Sequence, residues 1–85
     1  MIRVRLLGHI KTSIGVDEVE IGEEDLDPAL LVKKLRDSCR GKDVGFNEYN
    51  TLVLVEDGEA FVPASSKRRL RSGERVVLIP FSHGG

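Results

Sequence analysis

Apolar and polar residues alternate from the second position onward. Ile2, Val4 and Leu6 fall on one face of an extended segment, with Arg3 and Arg5 on the other. This period of two predicts a half-buried strand. Gly8 to Gly15 is bracketed by glycines and reads as a loop. Residues 16–21 then predict a second strand, with Val19 and Ile21 inward, and the parity break at Asp17 and Glu18 blurs its start. Two strands joined by a short loop suggest an opening hairpin.

The period then changes. Asp27 is suited to capping a helix and Pro28 to its first position. Leu31, Val32, Leu35 and Cys39 recur at helical spacing. They share one arc of about 100°, which is a single buried stripe. Lys33, Lys34, Arg36 and Arg40 fill the remaining surface, and Gly41 is a natural stop.

Residues 42–50 are polar and irregular, with Phe46 and Tyr49 as satellites of the core. Residues 51–56 form a continuous apolar run ended by Glu56, which predicts a central strand buried on much of both faces. Asp57-Gly58 signals a turn. Ala60-Phe61-Val62 makes a short strand that Pro63 ends, Ser72-Gly73 makes another turn, and residues 75–81 form the last strand. One helix laid across a mixed sheet of four to five strands satisfies this order, a two-layer α+β fold. Pairing the first and last strands in parallel at the sheet centre gives both the cover they need.

Length and composition narrow the function classes. Eighty-five residues make one small domain, residues 1–81, followed by a tail at 82–85. The single cysteine, Cys39, excludes an internal disulfide and a cysteine-based zinc cluster, and reads as a small buried hydrophobe. His9 and His83 stand at opposite ends of the chain, which argues against a metal site. Thirteen basic and 14 acidic residues leave no gross charge signature for nucleic acid or membrane. No apolar run reaches the roughly 20 residues of a membrane span. The amino-terminal residues resemble no targeting peptide, so the cytoplasm is the expected location. No catalytic constellation is visible, and the chain reads as something other than an enzyme.

The candidate chemistry lies at Gly84-Gly85. A carboxylate is a poor electrophile until it is adenylated. An activating enzyme must thread it through a narrow channel to the α-phosphate of ATP, and two residues without Cβ make a thin, conformationally free tail. The acyl-adenylate can then be attacked by a thiol, a persulfide or an amine.

The predicted strand order, the Leu70-Arg71-Ser72-Gly73-Glu74-Arg75-Val76 approach, the Leu78-Ile79-Pro80 strand end and terminal Gly84-Gly85 resemble the ubiquitin-like sulfur carriers. That superfamily includes the ubiquitin-related modifier, the small archaeal modifier proteins, the molybdopterin-synthase small subunit and the thiazole-biosynthesis sulfur carrier. The resemblance implies a β-grasp fold. It also implies that a ubiquitin-activating-like enzyme, using ATP and Mg²⁺, adenylates Gly85, with Gly84 giving channel clearance. No cofactor would be bound by the chain itself. A sulfur donor would then convert Gly85 to a thiocarboxylate for tRNA thiolation, or a target lysine would take it as an isopeptide. His83-Gly84-Gly85 is similar to the ending of the ubiquitin-related modifier. Pro80 is closer to the molybdopterin-synthase subunit, although Phe81 stands where that subunit commonly has a second proline. A non-covalent β-grasp binding module is the alternative of another class.

Partner contacts follow from strand parity. If Val76 and Leu78 face the helix, Val77, Ile79 and Phe81 form an apolar patch on the open sheet face beside the tail. These three, with His83 in the tail, are the expected partner-binding residues, and His83 acts there as a spacer. The basic run Lys67, Arg68, Arg69 and Arg71 reads as a solvated turn, and the lack of interleaved aromatics argues against RNA stacking. A monomer is expected of a carrier whose tail must enter other proteins.

Overall fold

The computed structural model describes residues 1–39, 45–64 and 69–81. In chain order the elements are β1 (Ile2–Leu6), α1 (Gly8–Ile14), β2 (Glu18–Ile21), β3 (Asp25–Leu26), α2 (Pro28–Asp37), β4 (Thr51–Asp57), β5 (Ala60–Pro63), β6 (Leu70–Arg71) and β7 (Arg75–Pro80). Five strands form one mixed sheet in the order β2-β1-β7-β4-β5. β1 and β7 run parallel at its centre, with Val4 opposite Val76 and Leu6 opposite Leu78. The other pairs in this sheet are antiparallel. This is the β-grasp architecture that the strand order predicts.

One face of the sheet carries the core. Ile2, Val4, Leu6, Val53, Val55, Val76 and Leu78 project from it and are buried with Leu31, Val32 and Leu35 of α2. The alternation in β1 is therefore as expected. Asp27 caps α2, its Oδ1 accepting the Ala29 N–H at 2.8 Å, and Pro28 opens the helix. The helix ends at Asp37, so Cys39 lies just beyond it, half-buried against the core, with Sγ 3.5 Å from the Leu35 carbonyl. Arg40 and Gly41 lie outside the described residues.

Several expectations are corrected. The segment from Gly8 to Gly15 is a short helix, not a loop. Ile10 is fully buried and Ile14 half-buried one turn later, so the helix is held by two contacts on one face. Gly15, at φ 94°, closes it by donating to the Lys11 carbonyl at 2.8 Å. The opening unit is thus strand, helix, strand, and β2 begins at Glu18 rather than at Val16.

Phe46 is not a satellite: it is a member of the core at 1 % exposure, while Tyr49 is exposed. An Asn47–Asn50 turn sets Phe46 inward. Asn47 Oδ1 accepts the Tyr49 N–H (2.7 Å), and Asn50 Oδ1 accepts the Asn47 N–H (2.8 Å).

β4 lies between β7 and β5 rather than at the centre, and only one of its faces is closed. Thr51, Val53 and Val55 are buried, whereas Leu52 is exposed and Leu54 half-buried. A second, two-stranded sheet of β3 and β6 was not visible in the pattern. It brings Leu26 against Leu70, both buried, and its outer Asp25 accepts from Arg69 at 2.6 Å.

Candidate functional site

The sheet face away from α2 is open, and its character changes along the strands. At the end where β7 begins it is charged. Arg3 lies 3.2 Å from Glu18 and 3.7 Å from Glu20, and Arg75 lies 3.9 Å from Glu56. A shallow depression of about 230 Å³ here is bordered by Arg3, Arg5, Arg75, Glu56, Phe61 and Val77. The Arg3 pairs are exposed and Glu56 is half-buried, and surface pairs of this kind contribute about 0–1 kcal/mol each. They define the surface chemically more than they stabilise it.

At the other end, where β7 delivers the tail, the same face is apolar. Val77 stands opposite Leu54, and Ile79 opposite Leu52. Extending the β1–β7 register by one residue places Leu7 on the far side of Ile79, and the Leu7 N–H donates to the Leu78 carbonyl at 3.3 Å. Leu7, in extended backbone just past β1, therefore continues the row of Ile79 and Leu52 across the open face. Leu7 is 37 % exposed and Leu52 38 %, with Ile79 half-buried between them. Contiguous apolar surface of this kind marks contact sites.

Val77 and Ile79 thus lie on the open face that strand parity assigns them. Phe81 is placed differently. β7 ends at Pro80, so Phe81 lies beyond the strand, 42 % exposed. Its N–H donates to the Asn50 carbonyl (3.0 Å), which pins the root of the tail to the turn before β4. From there it borders, together with Leu52 of the row, a cleft between β4 and the start of α2. His83, Gly84 and Gly85 lie outside the described residues, as do Lys67 and Arg68.

Leu7, Leu52 and Leu54 were missed as members of the open face. The apolar run at 52–55 suggests burial on both sides, and Leu7 stands between the alternating segment and the glycine-bracketed one. The outward parity of Leu7, shared with Arg3 and Arg5, was the signal available for it.

Among the described residues no group of three or more His, Cys, Asp and Glu side chains could hold a metal ion. No helix among them is long and apolar enough to cross a membrane.

The sequence matches no protein-family profile, and no curated protein sequence is significantly similar to it. Its structure is similar to the crystal structure of SAMP1 from Haloferax volcanii. The TM-score is 0.60 at 16 % sequence identity, over 99 % of this chain and 98 % of that one. The similarity spans both chains almost end to end, and the shared feature is the ubiquitin-like fold.

Proposed function

We propose that this protein is a ubiquitin-like carrier or modifier, acted on by other enzymes through its Gly85 carboxylate. The observation that carries the reading is positional. In a β-grasp sheet, the central strand that leads to Gly84-Gly85 ends in the exposed row Leu7–Ile79–Leu52. A partner seated on that row lies next to Pro80, five residues before Gly85 in the chain. The overall likeness to SAMP1, a small archaeal modifier, favours the same reading.

The chemistry is that of an activated carboxylate. A Gly85 oxygen attacks the α-phosphate of Mg²⁺-bound ATP in the partner enzyme, and pyrophosphate leaves. A persulfide then displaces AMP, and a second thiol opens the remaining S–S bond to release a thiocarboxylate. Alternatively a lysine amine displaces AMP and forms an isopeptide. This chain supplies the carboxylate, a tail thin enough for a channel and the docking face. Val77 and Ile79 belong to that face, Phe81 stands at the root of the tail, and His83 is a spacer within it.

Intact-mass analysis of untagged protein, incubated with ATP, Mg²⁺ and an adenylating-enzyme fraction from its own cells, tests the proposal. A Gly85 adenylate, or an oxygen-to-sulfur exchange mapped to Gly85, is expected. Conjugates whose digested peptides carry Gly-Gly on lysine are the modifier outcome. Deletion of Gly85 should abolish both without unfolding the domain. Normal modification of the deletion variant, or none of the full chain, would favour a non-covalent binding module.

A further inference from the structure

At the end of the sheet from which the tail departs, a cleft of about 270 Å³ opens between α2 and β4. Its walls are mostly apolar: Pro28 and Val32 of α2, Leu52 and Val53 of β4, and Ala64 just past β5, with Thr51 between them. Phe81 borders it. Its only charged lining residues, among the described ones, are the carboxylates Asp27 and Glu48. The volume falls below the roughly 300 Å³ at which small-molecule pockets begin. It suits one side chain rather than a cofactor.

The two carboxylates are under-used. Asp27 caps α2 through Oδ1, which accepts the Ala29 N–H. Glu48 has Arg36 Nη1 at 3.6 Å from Oε2, an ion pair too long for a hydrogen bond, and that oxygen is buried with no hydrogen-bond partner. The Glu48 side chain is still 24 % exposed, so the rest of it remains within reach of a guest. An anion is a poor guest, because the capping carboxylate already occupies the positive end of the helix. A cation on an aliphatic stem fits every surface present. The stem finds apolar walls, and the cation finds two carboxylates with an aromatic side chain at the border.

We propose that this cleft receives a lysine or arginine side chain of a partner protein. The stem lies along Val32, Val53 and Ala64, and the charged head is held by Asp27, Glu48 and the Phe81 ring. The contact adjoins the apolar row on the open face, with which it shares Leu52, and adds a charge requirement next to Phe81. It needs only the folded domain, so its failure and that of the Gly85 chemistry are distinguishable.

Methyl-resolved NMR of the full chain, titrated with Nα-acetyl-lysine methylamide and its arginine counterpart at up to tens of millimolar, tests it. The neutral norleucine counterpart is the control. Saturable shifts at Val32, Val53 and Ala64 are expected for the two basic probes. The double substitution Asp27→Asn, Glu48→Gln should weaken basic-probe binding about tenfold or more, a difference of about 1.4 kcal/mol. Asparagine caps about as well as aspartate, so α2 should persist. Phe81→Leu keeps an apolar border without the ring and should cost roughly threefold. No saturable shift, equal binding of norleucine, or shifts centred on Leu7 and Ile79 would each overturn the proposal.

Discussion

Gly8 and Pro80 approach so closely that a Cβ built on Gly8 would stand 2.8 Å from Pro80 Cγ. Gly8 also has φ +58°, in the left-handed region that glycine occupies without steric penalty. The contact joins the start of α1 to the last residue of β7. Together with the Phe81–Asn50 hydrogen bond on the other side, it fixes where the tail leaves the sheet.

Gly8→Ala should therefore be costly. The left-handed backbone costs roughly 1–2 kcal/mol for a residue with Cβ. Overpacking against a proline ring adds about 1–3 kcal/mol. A loss of about 2–5 kcal/mol should appear in urea unfolding. Adding Pro80→Ala should recover the packing part and leave the backbone part, which a double-mutant cycle separates. A single-variant cost below about 1 kcal/mol would mean that the two residues are not in contact.

Phe46 makes a sharper stability prediction. Phe46→Ala removes a fully buried ring and should cost about 3–5 kcal/mol. That is a large share of the roughly 5–15 kcal/mol that holds a domain together. Exposed Tyr49, three residues on, should tolerate alanine within about 0.5 kcal/mol. Paired thermal melts of the two variants decide it, and equal losses would contradict the burial difference.

The contrast between Phe46 and Tyr49 also shows what the sequence withheld. Both are aromatic residues in a polar, aperiodic stretch, where no period selects a face. Burial there is set by the Asn47–Asn50 hydrogen bonds, and such side-chain turns leave only a compositional trace. β1, α2 and β7 were legible because each repeats its pattern over several residues, and the Asp27-Pro28 start is specific. α1 was not, since Ile10 and Ile14 give a single helical interval between two glycines. The strands β3 and β6 are two residues each, too short to show alternation. At the candidate site, Val77 and Ile79 followed from parity. Leu7 and Leu52 required the registers of β1 and β4 against β7, which are tertiary facts.

Asp27 separates capping from charge. Asp27→Ala removes the acceptor of the Ala29 N–H and should destabilise the protein by about 1 kcal/mol. Asp27→Asn retains that acceptor and should lie within a few tenths of a kcal/mol of the native chain. Chemical denaturation of both checks this. Similar losses in the two variants would mean that the charge, rather than the hydrogen bond, is what α2 requires.

The exposed row supplies the functional test. Leu7 and Leu52 flank Ile79 on the open face, and neither belongs to the buried core. Leu7→Asp and Leu52→Asp should therefore leave a folded protein. Each places a carboxylate where a partner must exclude water, and an unpaired buried charge is strongly unfavourable. The kcat/KM of an activating enzyme for this chain should fall tenfold or more, about 1.4 kcal/mol of lost transition-state binding. Leu30→Asp is the control: Leu30 is comparably exposed but lies on α2, in the other layer. If Leu30→Asp impairs activation and the two row variants do not, the partner docks on the helical side, and Val77 and Ile79 lose their role.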